Sequence, residues 1–318
     1  MIQAVILAAG EGSRLHPITE ARSKAMLPIL GRPIVERVMY RLARHGIDDF
    51  ILVVSPSDRE IVRYFRRPGA LGQIRFAYQE ERLGMAHALR CAAPLIQGDF
   101  VLAACDNLVP ARDVGRLLAR WQDDKYLNAL LTLMPVEPER LGSVGIVERD
   151  GPWITRIIEK PPPDEAPSNI SSLPLYIFSP QILEEINKIS LSPRGEYEIQ
   201  DAIQRMIDRA GHVGGLMISR RATLTNAADL LAINLDYLRK LCDLVMPQAV
   251  GAKTRLTPPL YIEGGTIIGA RCTIGPNVVI EHGCRIGDGA TIRDALILRG
   301  ARVPAGATVK NQVVAQCE

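Results

Sequence analysis

No apolar run in the 318 residues approaches the roughly 20 that a spanning helix needs, which excludes an integral membrane protein of the helical kind. There is no CxxC pair either. The six cysteines, Cys91, Cys105, Cys242, Cys272, Cys284 and Cys317, are scattered, a usage that fits reduced thiols in the cytoplasm. The opening MIQAVILAAG lacks the basic n-region and full-length apolar h-region of an export signal. Nor is there a large charge excess: the net charge of +3 is too small to imply a nucleic-acid or membrane-surface partner, so any positive potential that matters must be local. Phosphate-sized anions remain compatible ligands. What the chain does have is 47% hydrophobic residues and enough length for one large α/β domain with a smaller companion.

From Ala4 to about Ile218, short β-rich runs alternate with amphipathic stretches. AVILAA precedes Pro33 to His45, FILVVS precedes Asp58 to Arg66, IRFAY precedes Met85 to Cys91, and DFVLAAC precedes Ala111 to Trp121; NALLTLM follows. This alternation predicts a doubly wound, mostly parallel sheet. Ligands of such sheets bind beyond the carboxyl ends of strands, which directs attention to the residues after Leu7, Tyr78 and Cys105.

The tail follows another rule. An aliphatic residue recurs every six positions at Ile262, Ile268, Ile274, Ile280, Ile286, Ile292 and Leu298, after which the register slips to Val303 and Val309. Four positions further on stand mostly small residues, Thr266, Cys272, Val278, Cys284, Ala290 and Leu296, where the cysteines are read as packing groups. This is the hexapeptide pattern of a left-handed parallel β-helix, with stacked aliphatics filling a triangular coil. The expected domains are therefore 1–226, an α/β domain; 227–254, a helical linker; and 255–318, the β-helix.

LAAGEGSRL, Leu7 to Leu15, is not a dinucleotide turn: GxGxxG would need glycine where Leu15 stands, and the second strand ends Val54-Ser55-Pro56 without the acidic ribose ligand. It is not a P-loop either, since no GK followed by Ser or Thr closes it. Counted alone, GxGxxR could be a glycine-rich turn with surface bases. Extended through GEGSRLHPIT and SKAMLP, it becomes a wrapping loop whose glycines admit an anion and whose Arg14 and Lys24 supply fixed positive charge, a pattern suited to polyphosphate.

These segments resemble the signature of the sugar-1-phosphate nucleotidyltransferases, LAAGxGxRLxPxT…KxMLP. The likeness continues through QEERLGMAHA (Gln79 to Ala88), ACDN (Ala104 to Asn107), VGIVE (Val144 to Glu148), IEKP (Ile158 to Pro161), Ser168-Asn169 and GEYEIQD (Gly195 to Asp201). It implies a Rossmann-like nucleotidyltransferase fold of type A. It also implies Mg²⁺-dependent attack of a sugar 1-phosphate on the α-phosphorus of a nucleoside triphosphate, UTP or dTTP by default, with loss of pyrophosphate. By that resemblance Leu7, Ala9, Gly10, Gly12 and Ser13 line the nucleotide, Arg14 and Lys24 neutralise its phosphates, and Gln79 and Gly84 read the base. Asp106 would hold the metal. Gly145, Glu159, Lys160 and Asn169 would surround the sugar phosphate, with Lys160 contributing to catalysis. Taken by themselves, Asp106 could equally be a turn or cap residue, Gln79 a solvent-facing amide, and Glu159-Lys160 a solvated strand end. His87 and His282 are read as packed or surface histidines.

The sequence departs from the family in two places. Where many members carry W-x-D-x-G, this chain has RATLTNAAD, Arg221 to Asp229; Asn226 is the candidate second metal ligand and Asp229 is assigned to the next helix. In ISSLPLY, Ile170 to Tyr176, Leu173-Pro174 replaces the usual glycine, and proline removes an N–H, so an altered sugar pocket is expected. A nucleotide-binding regulatory homologue with weakened turnover is the alternative. An acyltransferase activity in the β-helix is a weaker one, and assembly into a homo-oligomer through that β-helix is the expected role of the tail.

Overall fold

The computed structural model describes residues 2–315 apart from 68, 70, 211 and 242–248. The chain divides into two compact units: Met1–Gly10 with Val35–Arg221, and Glu11–Ile34 with Ala222–Glu318.

The first unit is built on a nine-stranded sheet. Its strands are β1 (Gln3–Leu7), β2 (Asp49–Val54), β3 (Gln73–Tyr78), β4 (Phe100–Ala104), β5 (Ala129–Pro135), β6 (Gly145–Asp150), β7 (Trp153–Glu159), β8 (Ile170–Phe178) and β9 (Val213–Met217), in the order β3-β2-β1-β4-β8-β5-β9-β7-β6. Four neighbours, β3-β2-β1-β4, are parallel. The other half is chiefly antiparallel, with β5–β9 its parallel pair, so the sheet is mixed where the sequence predicts a mostly parallel one. The cause is local. A two-residue turn at Gly151-Pro152 joins β6 to β7, too short for the crossover that parallel pairing requires.

Central strands are continuous apolar runs because both faces are covered: Ala4, Val5 and Ile6 of β1 and Phe50 to Val54 of β2 are fully buried. The helices include α1 (Ile34–Ala43), α2 (Arg59–Phe65), α3 (Met85–Ala92), α4 (Ala111–Asp123) and α5 (Ile199–Ala210). Asp58 caps α2 by accepting from Ile61 N, as an Asp ahead of an apolar-periodic run should. Helix α3 packs on β1, β2 and β3. From β1 the chain goes outward to β2 and β3 and returns to β4 on the other side. Successive crossovers therefore reverse between β1 and β4, which makes the carboxyl ends of those two strands the edges of a crevice.

The second unit joins helix α6 (Ala227–Leu238) to a stack of short parallel strands. Ile262 aligns with Ile280, Ile268 with Ile286 and Ile274 with Ile292, a constant offset of 18 residues. In the last layer Ile286 meets Val303 and Ile292 meets Val309, an offset of 17 that absorbs the slip seen in the sequence. Every residue of the aliphatic series and of the small series is buried. Helix α6 packs on strands Val278–Ile280, Thr291–Ile297 and Thr308–Val314, so the described part of the expected linker belongs to the body of this unit. So does the loop 11–34. Cys91, Cys272 and Cys284 are free thiols, the last two in the core of the stack; Cys105 is buried, and Cys242 and Cys317 lie outside the described residues. No described helix is long and apolar enough to cross a membrane.

Candidate active site

At the carboxyl end of β1, half-buried Leu7 accepts from Cys105 N at 3.1 Å, and Ala8 N donates to Val53 O at 2.8 Å. These bonds hold Ala8 to Gly10 against the neighbouring strand ends. Gly10 is exposed, with nothing within 4 Å of where a Cβ would stand. Ala9 is buried and its carbonyl accepts from Arg82 Nε at 3.1 Å, tying the signature to the segment after β3.

That segment fixes Gln79. Its backbone N donates to Val54 O, and its side chain, only 4% exposed, sends Nε2 to Gly84 O at 3.2 Å and to His87 Nδ1 at 3.1 Å. A carbonyl can only accept, so the atom facing Gly84 is the amide nitrogen, and both its protons are engaged. Gly84 has φ 92°, and a Cβ there would lie 2.8 Å from Tyr197 O. His87, read from sequence as a bystander, thus orients the candidate base reader. Its place in the first turn of α3, eight residues after Gln79, is the signal that could have found it.

Across the crevice, Asp106 follows β4 in a turn and is half-buried. Next to it, Asn107 is buried, and neither its Oδ1 nor its Nδ2 has a hydrogen-bond partner among the described residues. Arg221, a second residue that sequence reasoning passed over, lies within electrostatic reach of Asp106: burial and Arg140 depress its guanidinium while Asp106 and Tyr176 act the other way. It opens the segment where the family has W-x-D-x-G. Among the described residues no group of three or more His, Cys, Asp or Glu forms a complete metal cage.

The far half of the sheet gathers the candidate sugar residues. Gly145 opens β6 opposite Glu159 at the end of β7. A Cβ on Gly145 would lie 2.8 Å from Glu159 Oε2, 3.0 Å from Ser172 Oγ and 3.1 Å from Gln200 Nε2, so these four converge on one spot. Glu159 Oε2 and Gln200 Oε1 are buried without hydrogen-bond partners among the described residues. Burial pushes the Glu159 carboxyl up to about 7; Lys160 and Arg194 oppose the rise and Glu198 adds to it. Lys160 Nζ lies 3.6 Å from Glu159 Oε1, and its backbone sits at φ 46° with its N bonded to Val144 O, a strained conformation for a side-chain-bearing residue. Asn169 is exposed just before β8, its carbonyl accepting from Val136 N.

Leu173-Pro174 occupies a bulge in the β8–β5 ladder, where register is lost between Leu173 and Tyr176. Thr132 Oγ1 donates toward Leu173 O and Leu175 O, at 3.1 and 3.0 Å, and the missing N–H of proline falls where the ladder is already interrupted. The residue that reaches Gly145 from this strand is Ser172, whose hydroxyl accepts from Tyr176 at 3.1 Å.

In the second unit, the loop 11–34 folds back on itself. Gly12, at φ 73°, lies so close to the Lys24 stem that a Cβ would meet Lys24 Cβ at 3.0 Å, and Thr19 Oγ1 donates to Gly12 O. Ser13 and Arg14 are exposed in the 3-10 turn Ser13–Leu15; Lys24 is half-buried at the head of Lys24–Met26. The glycine and the lysine stem are therefore neighbours in space. Asn226 is the N-cap of α6: its Oδ1 accepts from Asp229 N at 3.0 Å, and Asp229 Oδ2 accepts from Asn226 N at 3.2 Å, a complete capping box. That use of the amide oxygen is structural, and Asp229 is in the helix as the sequence indicates.

The nucleotidyl transferase family model matches residues 3–222, and a model named GMPPB C-terminal domain matches residues 256–318. A UTP–glucose-1-phosphate uridylyltransferase, AglF of Haloferax volcanii, is 34% identical over 65% of this chain and 84% of its own length. A glucose-1-phosphate thymidylyltransferase of Streptomyces griseus is 29% identical over 95% of this chain and 88% of its own. The fold is also that of the UTP-bound UDP-glucose pyrophosphorylase of Acinetobacter baumannii, with a TM-score of 0.68, 24% identity, and coverage of 76% of this chain and 95% of that one. Signature, sheet and family match agree, and the chain belongs to the sugar-1-phosphate nucleotidyltransferases, enzymes of the nucleotidyl transferase family.

Proposed function

We propose that the protein transfers a uridylyl or thymidylyl group to a glucose-type sugar 1-phosphate. An oxygen of the sugar phosphate attacks the α-phosphorus, the bond to the β-phosphate breaks, and pyrophosphate leaves. The observation that carries this reading is the crevice between β1 and β4, which has Ala8 to Gly10 on one edge and Asp106 on the other.

Base choice follows from Gln79. With both amide protons engaged, Oε1 is left as an acceptor, which suits the imino N–H shared by uracil and thymine and absent from cytosine. Gly84 allows close approach of backbone beside it. For the sugar, Glu159 brings an unsatisfied carboxylate oxygen to Gly145 beside Ser172 Oγ and the Gln200 amide nitrogen, a mixed acceptor and donor set suited to hydroxyls, and Lys160 supplies charge for the phosphate. Asn169 borders that segment. Leu7, Ala9, Gly10, Gly12 and Ser13 give the backbone path for the nucleotide, with Arg14 and Lys24 neutralising the triphosphate and departing pyrophosphate. Such transfer needs positioning and charge compensation, and no protein nucleophile.

Magnesium fits the donor set. It binds through one or two carboxylates plus substrate phosphates rather than a protein cage, and Asp106 offers one hard oxygen donor beside the unsatisfied Asn107 amide. When bound it would withdraw charge from the phosphates. Asn226 already spends its oxygen on the helix cap, which favours Asp106 as the protein ligand.

The stacked strands are read as a left-handed parallel β-helix that assembles the protein into a homo-oligomer. Light scattering should return a trimer or larger; a monomer at micromolar concentration would refute the assembly role. Pyrophosphate release across a panel of NTPs and sugar 1-phosphates tests the activity, with UTP or dTTP plus glucose 1-phosphate expected to lead. Tight nucleotide binding without release under any pairing would favour a regulatory homologue.

A further inference from the structure

The loop 11–34 carries Arg14 and Lys24 yet has little structure of its own, two 3-10 turns and the two-residue strands Pro28–Ile29 and Arg32–Pro33. A segment this irregular takes its shape from its attachments. Two lie in helix α6, where buried Asn234 accepts from Leu30 N and donates to Pro28 O, each at 2.9 Å. Another is steric: a Cβ on Gly31 would fall 2.4 Å from both Tyr261 Oη and Glu263 Oε1 of the strand stack. The fourth is ionic. Arg22 Nη1 donates to both carboxylate oxygens of Glu281, at 3.0 and 3.1 Å. Glu281 is 4% exposed, and its Oε2 also accepts from Arg299 N at 2.9 Å.

Exposed ion pairs contribute little, but here the carboxylate is buried and the guanidinium half-buried, and the carboxylate takes a backbone donor as well as the guanidinium. Taking these charges largely out of water costs desolvation that an apolar pair of the same size would avoid, so the pair's distinctive effect is directional: it fixes where the chain two residues before Lys24 must run. We propose that Glu281 is a positioning residue for Lys24, acting through Arg22, so that the C-terminal strand stack is part of the catalytic apparatus as well as an assembly module. This rests on the reading of Lys24 as the cation that neutralises the triphosphate. Misplacing such a group by about 1 Å can cost up to roughly a hundredfold in rate.

The test uses the full-length protein. Glu281→Gln keeps the side chain's size and removes its charge. The expected result is a fall in kcat of about tenfold or more with the KM for sugar 1-phosphate within about twofold. Trypsin cleavage of the native protein at Arg14, Arg22 or Lys24 should accelerate by about tenfold, with sites outside 11–34 unaffected. Arg22→Lys, which keeps the charge but loses the rigid planar guanidinium, should fall between the variant and the wild type. If Glu281→Gln fails to fold, the double variant Arg22→Met with Glu281→Met avoids a lone buried charge and should show the same losses. Wild-type kcat in a folded variant of either kind overturns the proposal, as does a lower kcat with unchanged cleavage in the loop. Lys24→Ala separates this from failure of the functional reading. Turnover retained by Lys24→Ala refutes the role of the lysine; turnover lost there but kept in the Glu281 variants refutes only the positioning.

Discussion

Gln79 and His87 form one unit: the imidazole Nδ1 stands 3.1 Å from the amide nitrogen of Gln79 and accepts its second proton. The amide is thereby held with its oxygen as the free end. His87→Ala should let the amide rotate, raising the KM for UTP by about tenfold, the cost of one hydrogen bond's worth of preorganisation, while changing the KM for sugar 1-phosphate little. Steady-state kinetics with each substrate varied in turn checks this, and an unchanged UTP KM would count against the assignment.

Lys24→Ala should lower kcat by about a hundredfold or more, since a fixed charge at the developing pyrophosphate is worth that much. Its half-buried side chain packs beside Gly12 at the head of a 3-10 turn, and the thermal unfolding midpoint should stay within about 2 °C. A variant with near-normal turnover would remove Lys24 from the catalytic set.

Asp106→Asn should lower kcat by about a hundredfold and shift the Mg²⁺ concentration for half-maximal rate upward. The measurement is a magnesium titration of both proteins. Equal half-maximal concentrations would show that Asp106 is not the ligand.

Glu159 sets a pH dependence. Its carboxyl is raised from 4.5 to about 7 by burial, with Lys160 opposing. Between those values the folded protein keeps a proton that the unfolded chain releases, so stability falls as pH rises through the window. The full shift corresponds to roughly 3 kcal/mol, present below the unfolded value and lost above 7. Glu159→Gln should therefore flatten the urea midpoint between pH 5 and 8 and be the more stable protein at pH 8. Parallel slopes for the two proteins would contradict the burial argument.

Gly145→Ala brings a methyl within 2.8 Å of Glu159 Oε2. The KM for sugar 1-phosphate should rise by about tenfold with the KM for NTP unaffected, the steric signature of a pocket floor. Equal effects on both substrates would place Gly145 elsewhere in the reaction.

Local features were legible in the sequence. Helix α4, read as Ala111 to Trp121, runs Ala111–Asp123, and the six-residue aliphatic series is buried at every member, because a period in the sequence is a face in space. Long-range partnerships were not. Arg22 and Glu281 are 259 residues apart, and neither stands in a pattern that names the other. Asn226 shows a different limit: N-cap and metal ligand use the same amide oxygen, so residue type alone could not choose between them. Leu173-Pro174 sits in a bulge, and the residue just before it, Ser172, is the one whose hydroxyl lies near Gly145, a placement that no local sequence pattern announces.

The Arg22–Glu281 pair also sets an order of events during synthesis. A nascent chain has residues 3–222, the whole span of the nucleotidyl transferase match, before Glu281 exists. The loop of Arg14 and Lys24 then lacks its ionic anchor, however well the sheet has folded. On the proposed positioning role, competence would arrive late, with the strand stack.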